Sequence, residues 1–551
     1  MALSVISNLI IFSVLIGYSY LFKRILFKKK DHSKIYNLDI FYGCIFLIFL
    51  SIFLNFFVGL KYIKFFVSIF GFFLFLFAYY KKKIAINFST IFLIITIFTI
   101  ISVYSSNNVD SPMYHLQILK WQDLNKIIFG LTNLEIRFGM TSTWHSLISI
   151  TDLSFRDYSA KYYLSSIFFG VLIYETIQLK KEKPNLSYIF LFFSVFFLIS
   201  FSIIHPFENG IILNHLGNPE LDLFPMILFI LAIFKLIQLI EVNPNYERSN
   251  ENDKLIFLII SFICITSRTV YLALLIPCII LILKNKKKLN FPNIFLVILS
   301  CFWMIKNFIS SSCLIFPYKL TCLNTNWSSG IQNIDYHLKE AMSYARDAPL
   351  RSQYKDFDYT LNSMEWVIPW FKGYFFQTSF LIIFLAIILF SVFAKIIGRF
   401  VLKKKSLFHY NKYKIVLIIL LLSLIIWFLA PEVRLGWGIL IALPIFLFSF
   451  TLFKLNLNIV PSKKFFSITI LLILFLFLFK NFDKFQKNDL FKTGLKVFNY
   501  SNIKKLGTYD KIDIYVSLNW QCADFEKFCV NKPKSNYHLK EKYSYLFINA
   551  E

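Results

Sequence analysis

Asp110 stands in the run Asn107–Asn108–Val109–Asp110–Ser111–Pro112–Met113–Tyr114–His115, directly after a long apolar stretch. A carboxylate fixed at the mouth of a helix bundle can accept a proton from an attacking hydroxyl or hold a divalent ion. The plain alternative is a solvated or helix-capping acid, which Pro112 two residues later suits. The neighbours favour chemistry. Tyr114, His115, Trp121, Glu135, Arg137, Trp144 and His145 share the polar connection 105–158 with Asp110, and several chemistries converging beside apolar segments mark functional ground. Its tryptophans alone say little, because aromatic residues collect at membrane interfaces anyway.

A second acid, Asp222, lies in Asn218–Pro219–Glu220–Leu221–Asp222–Leu223–Phe224–Pro225, with His205 and His215 nearby. It is either a helix N-terminal carboxylate or a metal or substrate contact. Arg268, Lys306 and Arg434 sit near the edges of other apolar stretches. A guanidinium or ammonium at headgroup level suits a phosphate or diphosphate. Arg434, in Pro431–Glu432–Val433–Arg434–Leu435–Gly436–Trp437–Gly438, is the leading one; its plain alternative is a snorkelling side chain or one paired with Glu432.

The elements that hold these residues are apolar. Of 551 residues, 57% are hydrophobic and 16% charged, with 68 phenylalanines and a formal net charge of +27. A soluble chain has about a quarter of its residues charged, and only 31 residues (16 Gly, 15 Pro) could build a disordered or collagen-like chain. Apolar stretches of bilayer-crossing length recur. We expect a many-spanning, all-α membrane protein with about 14 spans, at 2–22, 38–58, 62–80, 85–104, 160–179, 185–204, 222–243, 255–267, 269–283, 291–309, 376–398, 415–430, 435–453 and 465–480.

Basic clusters at 23–30, 81–83, 180–183, 284–288, 403–412 and 454–464 then fall on one side, which the positive-inside rule makes the cytoplasm. Both termini and the connections 105–158 and 310–374 are expected outside. Residues 1–480 form the transmembrane part and 481–551 a small extracytoplasmic domain, with apolar–polar alternation in KIDIYVSLNW. Lys23, Arg24 and Lys28 follow the first apolar run, the reverse of a signal peptide's charge order. Cys44, Cys264, Cys278 and Cys301 lie in spans as packing residues. An oxidising outer compartment permits the disulfides Cys313–Cys322 and Cys522–Cys529. The basic clusters are span-end anchors, so no nucleic-acid partner is expected.

Four stretches together carry a resemblance: VDSPMYHLQILKWQDLNKIIFGLTNLEIRFGMTSTWHSLISI (109–150), NPELDLFP (218–225), WMIKNFISSSCLIFP (303–317) and PEVRLGWG (431–438). They are similar to segments of bacterial multi-span glycosyltransferases of the GT-C architecture. Here a single acid stands between Val109 and Ser111, after the fourth expected span. The resemblance implies a GT-C-like fold in a bacterial inner (plasma) membrane, with juxtamembrane helices on the extracytoplasmic side. It implies an inverting glycosyltransferase that moves a hexosyl or pentosyl group from a polyprenyl-phosphate donor to an acceptor glycan or lipid of the cell envelope. Partners would then be the lipid-linked donor, membrane lipids and the acceptor, and the cofactor a divalent cation, Mg or Mn. Asp110, His115 and Asp222 become catalytic residues, Asp110 and Asp222 metal ligands, and Tyr114, Arg137, His145, Arg434 and Trp327 substrate contacts. The connection around Trp327 would close over the cleft.

Two other classes stay open. A flippase or transporter of lipid-linked saccharides would carry charged residues deep inside its spans, which are sparse here. An O-antigen-type polymerase or ligase also works from outer loops, and relies on basic residues more than on an acid at the position of Asp110.

Overall fold

The computed structural model describes residues 2–27, 34–103, 110–153, 160–178, 185–204, 215–242, 251–284, 291–347, 357–377 and 410–455, a few positions within 387–392 and 468–479, and most of 502–550. Among the described residues the bundle begins with ten apolar helices: α1 (Ala2–Leu26), α2 (Ile40–Asn55), α3 (Lys64–Tyr80), α4 (Phe88–Val103), then, after the short α5 (Leu116–Leu124) and α6 (Thr143–Thr151), α7 (Leu164–Gln178), α8 (Leu186–Ile204), α9 (Leu223–Val242), α10 (Glu251–Ser267), α11 (Leu275–Lys284) and α12 (Phe291–Ser311). α13 (Ile331–Asp347) and α14 (Val367–Gln377) follow as a polar-to-amphipathic pair. α15 (Lys414–Phe428) and α16 (Trp437–Lys454) are apolar again.

The expectation of about 14 spans is corrected by this arrangement. Among the described residues five helices are long and apolar enough to cross a membrane: Ala2–Leu26, Asn37–Asn55, Leu223–Val242, Phe291–Ser311 and Val433–Lys454. Six more apolar helices have 10–17 residues. At 1.5 Å per residue, 16 residues of α4 reach about 24 Å against a hydrocarbon layer of about 30 Å. An apolar run in sequence includes flanks that are not helical, and it passes over breaks such as Arg268, which is extended between α10 and the next turn. The expected spans 376–398 and 465–480 fall almost wholly outside the described residues. The chain remains a largely helical, multi-pass membrane protein.

Nor is the chain all-α. Near its C-terminus β1 (Ile503–Tyr509) pairs antiparallel with β2 (Ile512–Ser517), and β2 pairs parallel with β3 (Phe528–Val530). A separate antiparallel hairpin joins β4 (Tyr537–Lys542) to β5 (Tyr545–Ala550). Both sheets are open. An all-α, GT-C-like architecture is therefore replaced by a helical bundle with terminal β structure.

Packing in the bundle is close. α1 and α3 cross where Gly17 meets the Gly71 carbonyl, and a Cβ on Gly17 would collide with it. Polar side chains inside the bundle are tied across helices: Asn8 of α1 donates to Thr99 of α4 (2.9 Å), to Ser166 of α7 (2.9 Å) and to the Tyr163 carbonyl (3.0 Å).

The strands dock on the polar connection after α4. Ile118, Trp121, Ile128, Leu131, Leu134 and Phe138 share one buried cluster with Ile514, Val530, Leu546 and Ile548. Phe129 exchanges backbone hydrogen bonds with Leu546 (3.0 Å) and Ile548 (2.9 Å), so it adds to the β5 edge. Gly130 turns there with φ +70°, where a Cβ would strike the Ile548 and Trp327 carbonyls.

Both expected disulfides are present, Cys313–Cys322 and Cys522–Cys529. The second grips the start of α5. Ala523 N–H donates to the Pro112 carbonyl (2.7 Å), Gln117 donates to the Ala523 carbonyl (3.2 Å), and Cys529 N–H donates to Gln117 Oε1 (3.1 Å). Replacing Cys522 and Cys529 by serine should weaken this grip by about 2 kcal/mol, the chain-entropy value for so short a loop. Hydrogen exchange in Leu116–Leu124 should then rise while Leu223–Val242 stays protected. Unchanged exchange in α5 would show that the strands do not brace it.

Candidate functional site

Asp110 occupies the cap position of the helical turn Ser111–His115, with Pro112 inside that turn, yet its side chain makes no capping hydrogen bond. The carboxylate goes elsewhere: Oδ2 accepts from Arg434 Nη2 at 2.6 Å. Arg434 belongs to the short turn Val433–Gly436 that opens into α16. Its Nη1 lies 3.7 Å from Asp222 Oδ2 and its Nε 3.7 Å from Glu432 Oε1. Asp222 directly precedes α9, and its Oδ1 accepts from Arg268 Nη2 at 2.5 Å. Glu220 completes the group. Its Oε1 accepts from the Ser111 backbone (3.2 Å) and hydroxyl (2.9 Å), and its Oε2 lies 3.0 Å from His215 Nδ1. Four separate segments thus bring carboxylates and guanidiniums into one alternating chain at one end of the bundle.

Exposure divides the group. The Asp110 and Arg434 side chains are 23% and 27% exposed, whereas Asp222 is 3% exposed. Burial would raise the Asp222 carboxyl, but the Arg268 and Arg434 charges outweigh it and hold it below the usual carboxylate range. Asp110 and Arg434 therefore form the accessible edge, with Asp222 as the buried anion that aligns both guanidiniums.

Behind this edge lies a pair of buried, neutral imidazoles. His115 Nδ1 and His145 Nε2 are 2.9 Å apart and both rings are buried. Burial, then the neighbouring His145 and the arginines, pushes His115 well below the ordinary imidazole value. Burial and the nearby Lys306 push His145 down to about 3. Both are neutral at pH 7. Ser142 caps α6 by accepting from the His145 backbone N–H (3.1 Å), which fixes where the imidazole stands. Lys306 of α12 donates to Ser146 one turn further (3.1 Å). The Tyr114 ring lies 4.1 Å from the His115 ring, with the Arg137 guanidinium over the Tyr114 ring at 5.1 Å and Glu135 accepting from Arg137 at 2.8 Å. Burial, then the Asp110 charge, raises the Tyr114 phenol.

Of the residues singled out in sequence, the structure brings Asp110, Asp222 and Arg434 into contact and sets Tyr114, His115, His145 and Arg137 immediately behind them. Trp327 goes elsewhere. Its ring packs on Phe129 (5.1 Å) and Phe308 (6.0 Å), and its carbonyl accepts from Asn133 (3.0 Å), at the docked strands. His205 and residues 107–109 lie outside the described residues. Sequence reasoning noted Glu220 and His215 only as neighbours of Asp222 and Arg268 only as a candidate phosphate ligand, assigned none of them a site role, and passed over Ser111. The signals were there: Glu220 two residues before Asp222, and Arg268 as a lone charge between apolar runs.

His215, Glu220 and Asp222 each offer a ligand atom, all within 4.8 Å of one another, and could hold a metal ion. One imidazole nitrogen with two carboxylates suits Mn(II) or Zn(II) better than Mg(II), which prefers all-oxygen shells. Asp110 is not in that group; it faces Arg434. Titrating Mn(II) against the purified protein and reading free ion by electron paramagnetic resonance should give one site per chain. His215→Ala and Glu220→Gln should remove it and Asp110→Asn should keep it. Loss in Asp110→Asn with retention in His215→Ala would move the ion to the Asp110–Asp222 side.

Residues 1–441 match the family described as Domain of unknown function (DUF8201). No curated protein matches the chain, and no solved structure does. The strands at 503–550 lie beyond the matched region.

Proposed function

The chain belongs to the DUF8201 family, and on the geometry of its charged site we propose that it is an inverting glycosyltransferase. It moves a sugar from a polyprenyl-phosphate donor to an acceptor glycan or lipid on the extracytoplasmic face of a bacterial inner membrane. The observation that carries this reading is the partly exposed Asp110–Arg434 pair, backed by buried Asp222 and set at the end of apolar helices. Such a pair offers a base and a phosphate-binding cation within one salt bridge.

The steps follow from that geometry. A donor phosphate takes the place of Asp110 on Arg434, whose Nη1 and Nε stay near Asp222 and Glu432. Asp110 is thereby freed. It accepts the proton of the acceptor hydroxyl as that oxygen bonds to the anomeric carbon, on the face opposite the phosphate. The bond from anomeric carbon to phosphate oxygen breaks with its electron pair going to that oxygen, and Arg434 neutralises the charge that develops there. Polyprenyl phosphate leaves. His215, Glu220 and Asp222 would hold a divalent ion, which would supply further positive charge to the site. Confinement of donor and acceptor to the membrane edge supplies the proximity.

The test is transfer by the purified full-length protein, offered labelled polyprenyl-phosphate sugars and a membrane lipid extract. Labelled product together with released polyprenyl phosphate is expected. Movement of lipid-linked saccharide across liposomes with no transfer from any donor would sink the reading in favour of a flippase.

A further inference from the structure

The turn that carries Arg434 is gripped from outside itself. Arg346 Nη2 donates to the Leu429 carbonyl (3.1 Å), Trp370 Nε1 to the Pro431 carbonyl (3.1 Å) and Trp427 Nε1 to the Glu432 carbonyl (2.8 Å). Trp427 comes from the preceding helix α15. Arg346 ends α13 and Trp370 lies in α14, so two of the three donors belong to a different part of the chain. The grips reinforce one another. The Trp370 ring stands 5.9 Å from Trp427, and Arg346 lies 4.9 Å over the Trp366 ring while its Nη1 donates to the Thr360 carbonyl (2.5 Å). Gly436 lies so close to this same Trp427 indole that a Cβ would collide with it.

Residues 429–436 need such support. Pro431 has no N–H to donate, and Glu432 begins the turn in extended conformation. A regular helical ladder therefore does not fix the segment between α15 and α16. Trp370 is buried, so removing its N–H leaves a carbonyl without that donor, a loss felt at the backbone three residues before Arg434.

We infer that Trp370 is a positioning residue for Arg434, holding the Pro431 carbonyl so that the guanidinium stays between Asp110 and Asp222, and that α13 and α14 thereby belong to the site. The inference rests on the glycosyl-transfer reading only for the kinetic half of its test.

The test compares the wild-type full chain with Trp370→Phe, which keeps an aromatic ring and removes the N–H, and with Trp427→Phe, which removes the neighbouring grip. Arg434 reactivity toward phenylglyoxal is read by peptide mass spectrometry, with Arg137 as internal reference. Labelling of Arg434 should rise about three- to tenfold in either variant, the scale of one lost hydrogen bond, while Arg137 is unchanged. In transfer kinetics Trp370→Phe should lower kcat/KM by about fivefold in the wild-type background and add no further loss to Arg434→Lys, since both act on one group. Unchanged Arg434 labelling in both folded variants overturns the inference, and so do losses that multiply fully in the double variant. Absence of transfer in the wild type defeats the functional reading alone, because the labelling half still judges the positioning.

Discussion

Asp110→Asn should reduce sugar transfer by about 10²- to 10⁴-fold, the range for loss of a positioned general base, and leave the fold intact. The two halves have separate causes. Asparagine has nearly the same shape and keeps an oxygen for Arg434, but it cannot take a proton from the acceptor hydroxyl. The structural effect is small because Asp110 makes no capping hydrogen bond and its side chain is partly exposed; an ion pair of that kind contributes about 1 kcal/mol or less. Single-turnover transfer and thermal unfolding of the same preparations check both. Transfer at the wild-type rate in Asp110→Asn would remove this carboxylate from the chemistry.

Asp222→Ala should act first on stability. The carboxylate is buried against Arg268 at 2.5 Å and near Arg434 at 3.7 Å. Its removal leaves two guanidiniums without their shared anion, an effect of about 3–5 kcal/mol for a broken buried pair. The pH dependence has a definite sign. The folded carboxyl lies below its ordinary value of 3.8, so its contribution is complete above that value. It disappears as pH falls through the depressed folded value. In chelator, the deficit of Asp222→Ala relative to wild type should stay constant from pH 7 to about 4 and narrow only below that. Narrowing already between pH 7 and 5, measured by thermal unfolding, would mean that the arginines do not hold Asp222 ionised.

These two acids were readable from sequence because a charge at the edge of an apolar run stands out. Their pairing was not. Asp110 and Arg434 lie in distant segments, and nothing local to PEVRLGWG says which acid its arginine meets. Arg268 was noticed for the same reason as Arg434, yet its partner Asp222 appears only once α9 and α10 pack. The disulfides were legible because each pair is close in sequence, 9 and 7 residues apart.

The number of spans was misjudged because hydropathy measures composition, whereas crossing needs an unbroken helix. Lys64–Tyr80 and Phe88–Val103 are apolar and short. Alternation in KIDIYVSLNW marked a small terminal domain, but the expectation stayed all-α, and neither β2 (Ile512–Ser517) nor its attachment to the connection after α4 was anticipated. Trp327 misled for a related reason. An indole in a polar stretch resembles a sugar platform, and only the fold shows it packed on Phe129 and Phe308.

That attachment sets a timetable for biosynthesis. Asn133 hydrogen-bonds to a carbonyl 415 residues later, at Ile548. At about 5–20 residues per second the ribosome needs roughly 20 to 80 s to deliver that partner. Until then Ile118, Trp121, Leu131 and Phe138 lack the strand side chains that cover them. During that interval the segment bearing Asp110 is open to chaperones and proteases, and a nascent chain stalled before β5 would display an unfinished site to them.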